Sequence, residues 1–283
     1  MRQRPGTLLK QEITKETFLP FIGVYDVFSA SVAARYFNGL FLSGFSFAAS
    51  FYGLPDIGFI CWADMVTFTQ RTRTVLPHHH LLIDIDDGFG DRDIACHVVS
   101  LLEAVGASGV IMEDQKRPRR CGHFPGKQLL ELDEYLPKLA RVLATRQDLV
   151  VIARTDASDP EERIRRAKAF ADCGADAVLV EAVPDLKTVK QIQDTVQCPL
   201  MVNQIAGGQS PSWSFTDLQE EGVSLVNYST PCLFGAQSGI EGTLSWVQDH
   251  DGQLPNEKDK ETQGPLQRCT NLLYENMKRR DTR

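Results

Sequence analysis

A chain of 283 residues with 42% hydrophobic content can bury a sizeable core, and length alone allows one large or two ordinary domains. Its 30 Lys and Arg against 37 Asp and Glu leave a net charge of −7, which excludes a global positive field for nucleic acid or an anionic membrane. A small anionic partner would therefore need a local basic site.

No window approaches the roughly 18 continuous apolar residues of a membrane span. Met1 to Phe18 is interrupted by charges where a signal peptide needs an apolar core, so the expected location is cytoplasmic. Seven cysteines, at 61, 96, 121, 173, 198, 232 and 269, contain no C-x-x-C pair. That excludes a disulfide framework or a zinc finger and predicts mostly buried, free thiols.

Along the chain, short apolar runs alternate with helix-spaced segments. The runs are Phe21–Tyr25, Gly39–Ser43, Leu81–Asp86, Gly109–Glu113, Leu149–Arg154, Ala177–Glu181, Pro199–Asn203 and Val223–Asn227. They lack the alternation of a half-solvated sheet and read as strands buried on both faces. Asp26 is placed to cap a helix over Val27–Phe37; Asp159-Pro160 starts another that Gly174 ends. Eight strands alternating with helices predict a closed (β/α)8 TIM barrel, with an open doubly wound sheet as the alternative. Residues 1–255 would form this single catalytic barrel. Residues 256–283, polar but carrying Leu266 and Leu272-Leu273-Tyr274, would form an extension packing on the barrel or on a neighbouring subunit.

In such a barrel the site lies at the C-terminal strand ends. The second to seventh runs finish in Ser43-Gly44, Asp84-Ile85-Asp86, Glu113, Arg154, Glu181 and Asn203. Carboxylates on apolar strands are costly unless paired or metal-bound. The pair Asp84 and Asp86, two apart, would share one face of a strand. Oxygen ligands without cysteine or histidine suit Mg²⁺, or Mn²⁺, better than zinc; a polar plug of ion pairs with Arg154 is the competing reading. His78-His79-His80 reads as a solvated loop, and His97 as a packed helix residue. After Glu113 comes a basic segment, Lys116–Lys127, in which Lys116, Arg117, Arg119, Arg120 and Lys127 surround Cys121 and His123. Its Pro118, Gly122, Pro125 and Gly126 give it the composition of a lid.

The collinear set Ser43-Gly44, Gly53-Leu54-Pro55-Asp56, Asp84-x-Asp86 with Gly88-Phe89-Gly90, Glu113-Asp114-Gln115, Arg-Cys121-Gly122-His123 with Gly126-Lys127, and Arg154-Thr155-Asp156 resembles the isocitrate lyase and phosphoenolpyruvate mutase superfamily. The resemblance runs from about residue 20 to 245. It implies a barrel with Mg²⁺ at its mouth and a final helix exchanged between the subunits of a homo-oligomer, a dimer or tetramer. It implies Asp84 and Asp86 as metal-shell aspartates with Asp56 and Glu113 in the same acidic network, largely through water. Ser43, Gly44 and Phe45 would hold a substrate carboxylate and Arg154 the α-oxyacid end, with Glu181 and Asn203 also on the substrate. Cys121 would be the general acid of a lyase, assisted by His123. The flanking arginines and His123 are expected to lower its pKa.

Departures narrow the expectation. Asn203 is followed by Gln204-Ile205-Ala206 where such lyases usually carry a glutamate, Phe45 replaces a small residue, Arg119-Arg120 replace lysines, and Phe234 stands where an arginine is common. A less polar, smaller pocket predicts a 2-hydroxy dicarboxylate of the 2-alkylmalate type over a tricarboxylate such as 2-methylisocitrate. Phosphonate-forming phosphoryl transfer, decarboxylation or hydrolysis of oxaloacetate-like acids, and a non-catalytic binding role are the alternatives.

Overall fold

The computed structural model describes residues 4–15, 18–255 and 264–281. Eight parallel strands close into one barrel: β1 (Leu19–Val24), β2 (Gly39–Leu42), β3 (His80–Asp84), β4 (Gly109–Glu113), β5 (Val150–Thr155), β6 (Ala177–Val180), β7 (Leu200–Gln204) and β8 (Leu225–Tyr228). Closure is direct, with Leu19 opposite Leu225 and Phe21 opposite Asn227, so the open doubly wound alternative is excluded.

The strand sequences are continuous apolar runs because both faces are covered. Phe21, Phe41, Leu82, Ile111, Ile152, Leu179, Met201 and Leu225 fill the barrel interior. Leu40, Ile83, Val110, Val151, Val178 and Val226 face the surrounding helices. The interior is sealed at the bottom by helix α1 (Pro5–Thr14), whose Leu9 and Ile13 join the inner cluster. These two are four apart and so share one helix face. The first turn of α1 is anchored on Asp148, which accepts from the Gly6 and Thr7 amides at 2.7 and 2.8 Å. A Cβ at Gly6 would collide with the Asp148 backbone, so only glycine allows this approach.

The remaining helices are α2 (Val27–Ala33), α3 (Gly44–Phe47) running into a π-helical turn over Ala48–Tyr52, α4 (Trp62–Val75), α5 (Arg92–Ala104), α6 (Leu132–Thr145), α7 (Pro160–Asp172), α8 (Leu186–Thr195), α9 (Phe215–Glu220), α10 (Pro231–Asp249) and α11 (Pro265–Asp281). Asp26 caps α2 through the Ser29 amide, as the sequence predicts. The helix is shorter than Val27–Phe37, since Arg35 and Tyr36 donate to Val32 and Ala33 in tighter i→i−3 turns. Asp159 caps α7 and Gly174, at φ +97°, follows its end.

Three expectations are corrected. His78-His79-His80 is not a solvated loop beyond His78: His80 begins β3, is buried and reaches Glu12 of α1 at 3.1 Å, and His79 lies 3.2 Å from the Ala34 carbonyl. The register that pairs His80 with Gly39 draws it inside. The cysteines are free, but only Cys121 is buried. Asp86 does not share a strand face with Asp84, because β3 ends at Asp84 and Asp86 adopts a left-handed φ of 49°. His97 stacks edge-on against Trp62 on the outer side of α5.

Of the C-terminal extension, residues 256–263 lie outside the described part. Helix α11 leans on α2 and α4: Leu272 is buried, Asn276 donates to Ser31 at 2.8 Å, and Arg35 pairs with Glu275 at 2.9 Å. No helix among the described residues is long and apolar enough to cross a membrane.

Candidate active site

The side-chain period of two that fills the barrel interior also builds the site. Two residues beyond the inward-facing Phe41, Leu82, Ile111, Ile152, Leu179, Met201 and Leu225 stand Ser43, Asp84, Glu113, Arg154, Glu181, Asn203 and Asn227. All but Arg154 are buried, and it is half-buried. The apolar plug of the barrel is thus topped by one polar ring.

Asp56, Asp84, Asp86 and Glu113 form the acidic side. Asp84 accepts from the amides of Gly44 at 3.1 Å and Asp86 at 3.2 Å. Burial raises its pKa, partly offset by Arg119 and Arg154. Burial likewise pushes Asp86 well above its usual range and Glu113 up to about 7. Both oxygens of Asp86 and Oε2 of Glu113 are buried without a hydrogen bond. The cation between them is Arg119 of the basic segment: Nε donates to Glu113 at 2.8 Å, Nη1 pairs with Asp56, and Nη1 lies 3.3 Å from Asp86.

The segment Lys116–Lys127 closes over the ring. Arg117 forms a two-point bond to Asp87 at 2.9 and 2.7 Å, and the Gln115 amide group clasps the Arg120 backbone at 2.7 and 2.9 Å. Gly122 sits directly on the floor. A Cβ there would lie within 2.6 Å of Glu181 Cγ and closer still to Arg154 and Asp156. Lys127 holds the Gly122 carbonyl.

Arg154 is bound by Asp156 at 3.0 and 2.9 Å and lies 3.5 and 3.3 Å from Glu113 and Glu181. Glu181 accepts from Asn203 at 3.1 Å and from His123 at 2.8 Å. Burial works against its charge, yet Arg154, His123 and Asn203 outweigh it and hold the carboxyl down at about 2. The Gln209 amide donates to His123 Nδ1 at 2.9 Å, so a neutral imidazole carries its proton on Nε2, toward Glu181. Asn227 and Ser229 in turn donate to Asn203 Oδ1 at 3.1 and 2.7 Å.

The expected thiolate at Cys121 is overturned. Closing the loop buries the thiol, and this desolvation raises its pKa to about 11, with Asp56 and Glu181 adding to it. The His123 backbone and Arg154 pull the other way without prevailing. Arg119 and Arg154 have their charges committed to carboxylates. At neutral pH Cys121 is a protonated thiol, the form a proton donor requires.

The Ser43–Phe45 stretch is engaged within the protein itself. Ser43 Oγ accepts from the Ser46 amide at 3.2 Å as the cap of α3, and the Gly44 amide is engaged with Asp84. Phe45 meets Phe234 edge-on at 6.4 Å between centroids. Sequence reasoning missed Asn227, which the same period of two would have found. It also missed the supports Asp114 and Arg166, joined at 3.0 Å, and Gln209, whose loop gives no local signal.

The donor set fits a hard divalent cation: oxygen only, and three carboxylate oxygens buried without hydrogen bonds. Among the described residues no group of three or more His, Cys, Asp or Glu side chains converges as a direct ligand cage.

The family model for phosphoenolpyruvate phosphomutase matches residues 9–246. A 2-methylisocitrate lyase from Aeropyrum pernix is 31% identical over 257 residues, 89% of this chain and 82% of that protein. Two solved structures superpose with a TM-score of 0.89. One is 2,3-dimethylmalate lyase, at 28% identity over 98% of this chain and 95% of that one. The other is oxaloacetate acetylhydrolase bound to 3,3-difluorooxalacetate, at 29% identity over 96% and 95%.

Proposed function

We propose that this chain, which belongs to the phosphoenolpyruvate mutase and isocitrate lyase superfamily, is a Mg²⁺-dependent carbon–carbon lyase acting on a 2-hydroxy dicarboxylate of the 2-alkylmalate type and releasing a 2-oxo acid. The observation that carries this reading is the burial of Cys121 on a basic loop that closes on Arg154 and a cluster of buried carboxylates.

Arg154 would grip the α-oxyacid end of the substrate, and Ser43 with the Gly44-Phe45 backbone a substrate carboxylate. Asp84, Asp86, Asp56 and Glu113 would hold Mg²⁺, which when bound supplies Lewis-acid stabilisation of developing negative charge. As the carbon–carbon bond breaks, the 2-hydroxyl would pass its proton to an ionised carboxylate of the polar ring and become the carbonyl of the 2-oxo acid. The electron pair moves to the departing carbon as an enolate or aci-carboxylate. Cys121 then delivers its proton to that carbon. His123, fixed between Glu181 and Gln209, keeps the loop seated, and the closed loop keeps water from the enolate.

The preference for a dicarboxylate rests on Phe45 against Phe234 and on the loop after β7, where Ala206 borders a cavity of about 240 Å³ lined by no charged side chain. Hydrolysis of an oxaloacetate-type acid is the second reading, favoured by the fit to oxaloacetate acetylhydrolase. We also assign the protein to a homo-oligomer, a dimer or tetramer, built through α10. None of this helix's residues is buried, while Ile240, Leu244 and Trp246 are exposed on it.

A panel of 2-alkylmalates, 2-methylisocitrate and oxaloacetate, assayed with Mg²⁺ and after chelation, tests the reading. The expected result is Mg²⁺-dependent release of a 2-oxo acid from a 2-alkylmalate. Equal or better turnover of 2-methylisocitrate would sink the dicarboxylate preference, and oxalate from oxaloacetate alone would favour the hydrolase.

A further inference from the structure

We propose that Arg163 is a positioning residue for Arg154: its guanidinium ties the chain just past β5 to the chain just past β6, and so sets the gap between Asp156 and Glu181 in which Arg154 is held. The inference rests on the reading of Arg154 as the group that grips the α-oxyacid end of the substrate.

Three observations carry it. First, α7 buries Arg163, Arg166, Ala167 and Phe170 on one face against β5 and β6, so two arginines stand where an amphipathic helix ordinarily places apolar residues. Arg163 is 6% exposed, yet both of its hydrogen bonds go to neutral carbonyl oxygens: Nε donates to Ala157 at 2.8 Å and Nη2 to Ala182 at 3.1 Å. A buried charge is costly, and an apolar side chain would fill the same place without that cost. Packing alone therefore does not explain the arginine.

Second, the two carbonyls flank the groups that hold Arg154. Ala157 follows Asp156, which binds Arg154 at 3.0 and 2.9 Å, and Ala182 follows Glu181, whose carboxylate lies 3.3 Å from the same guanidinium. The ladder between the strands reaches the bond from the Glu181 amide to the Thr155 carbonyl, at 3.0 Å, and Arg163 bridges the two chains just beyond it. Third, the backbone on both sides of this bridge is held against its own preference or from two directions. Ala182 adopts a left-handed φ of 55°, which costs energy in a residue with a Cβ; its carbonyl is held by Arg163 and its amide by Glu181 Oε1 at 3.2 Å. The Asp156 amide donates to Asp114 at 3.1 Å, and Asp114 pairs with Arg166 at 3.0 Å, so one helix face fixes this stretch through both of its arginines. Without Arg163, Ala182 would relax and carry Glu181 away from Arg154, while the barrel hydrogen bonds stay in place.

The test uses the full-length protein with Mg²⁺ and, as probe, oxalate, a planar dianion that carries the paired oxygens of an α-oxyacid. Oxalate affinity and thermal midpoint are measured by calorimetry for wild type, Arg163→Met, Arg163→Lys, Arg154→Lys, and each Arg163 change combined with Arg154→Lys. Arg163→Met should bind oxalate at least about tenfold more weakly with little change in thermal midpoint, because a small misplacement of Arg154 is enough. Arg163→Lys, a single point charge that cannot span both carbonyls, should lose about threefold, and it carries the test if Arg163→Met does not fold. An effect exerted through Arg154 disappears once Arg154 is replaced, so the double variants should bind oxalate no more weakly than Arg154→Lys alone. Unchanged affinity in the Arg163 variants, or losses that multiply in the double variants, would overturn the positioning role and leave the reading of Arg154 intact. Absence of oxalate binding by the wild type, or unchanged affinity in Arg154→Lys, would overturn the reading of Arg154 and this role with it.

Discussion

At Cys121, burial and charge oppose each other and burial wins. The basic residues around it in sequence suggest a reactive thiolate, but Arg119 and Arg154 face carboxylates, and the closed loop removes the water that would solvate a sulfur anion. A thiol raised to about 11 keeps its proton across the neutral range and loses it only as pH climbs through that value. Iodoacetamide should therefore label Cys121 slowly at pH 8, with the rate rising toward pH 11; rapid labelling at pH 7 would contradict the closed, neutral thiol. Cys121→Ser should lower kcat by about 10²–10⁴-fold if the thiol donates the proton, while calorimetric metal binding stays unchanged. The motif identified the cysteine. Its protonation state needed the burial that the closed loop imposes, with Asp56 and Glu181, distant in sequence, adding to it.

At the scale of elements, the loop and the ring beneath it fit like lid and seat, and Gly122 is the point of contact. Gly122→Ala puts a methyl group where Arg154, Asp156 and Glu181 already stand, so closure should fail although the barrel is untouched. The expected outcome is a fall in kcat of about 10²-fold from misplacing the proton donor, with little change in thermal midpoint. The same variant should label faster at Cys121, which separates a failed closure from a failed fold. Strand order, helix caps and the polar strand ends were legible in sequence, because each depends on neighbours within a few residues. The α1 plug was not: Leu9 and Ile13 acquire meaning only against Phe21, Leu82 and Leu225, which the barrel brings together. The His78–His80 stretch misled for a related reason, since pairing with β2 draws His80 inside.

Over the whole molecule, α10 meets β1 and Phe45 through its first turns and leaves most of its length exposed. A 19-residue helix with no buried residue, yet carrying Ile240, Leu244 and Trp246, leaves apolar surface in water. The barrel also exposes Phe28, Phe51, Tyr52 and Phe59. In the proposed homo-oligomer such surfaces would mate, and light scattering of the wild type should show a dimer or tetramer. Ile240→Asp with Leu244→Asp should dissociate it; a wild-type monomer at micromolar concentration would refute the assignment. By itself the sequence determined the fold class, the end of the barrel that carries chemistry and most residue types in the ring, since strand periodicity and the alternation of β and α are local. The tertiary structure alone decided which charges meet. Arg119 fills the acidic cluster, His123 joins Glu181, and Cys121 stays neutral, because burial and Coulomb interaction depend on distances that only the closed barrel and its loop set.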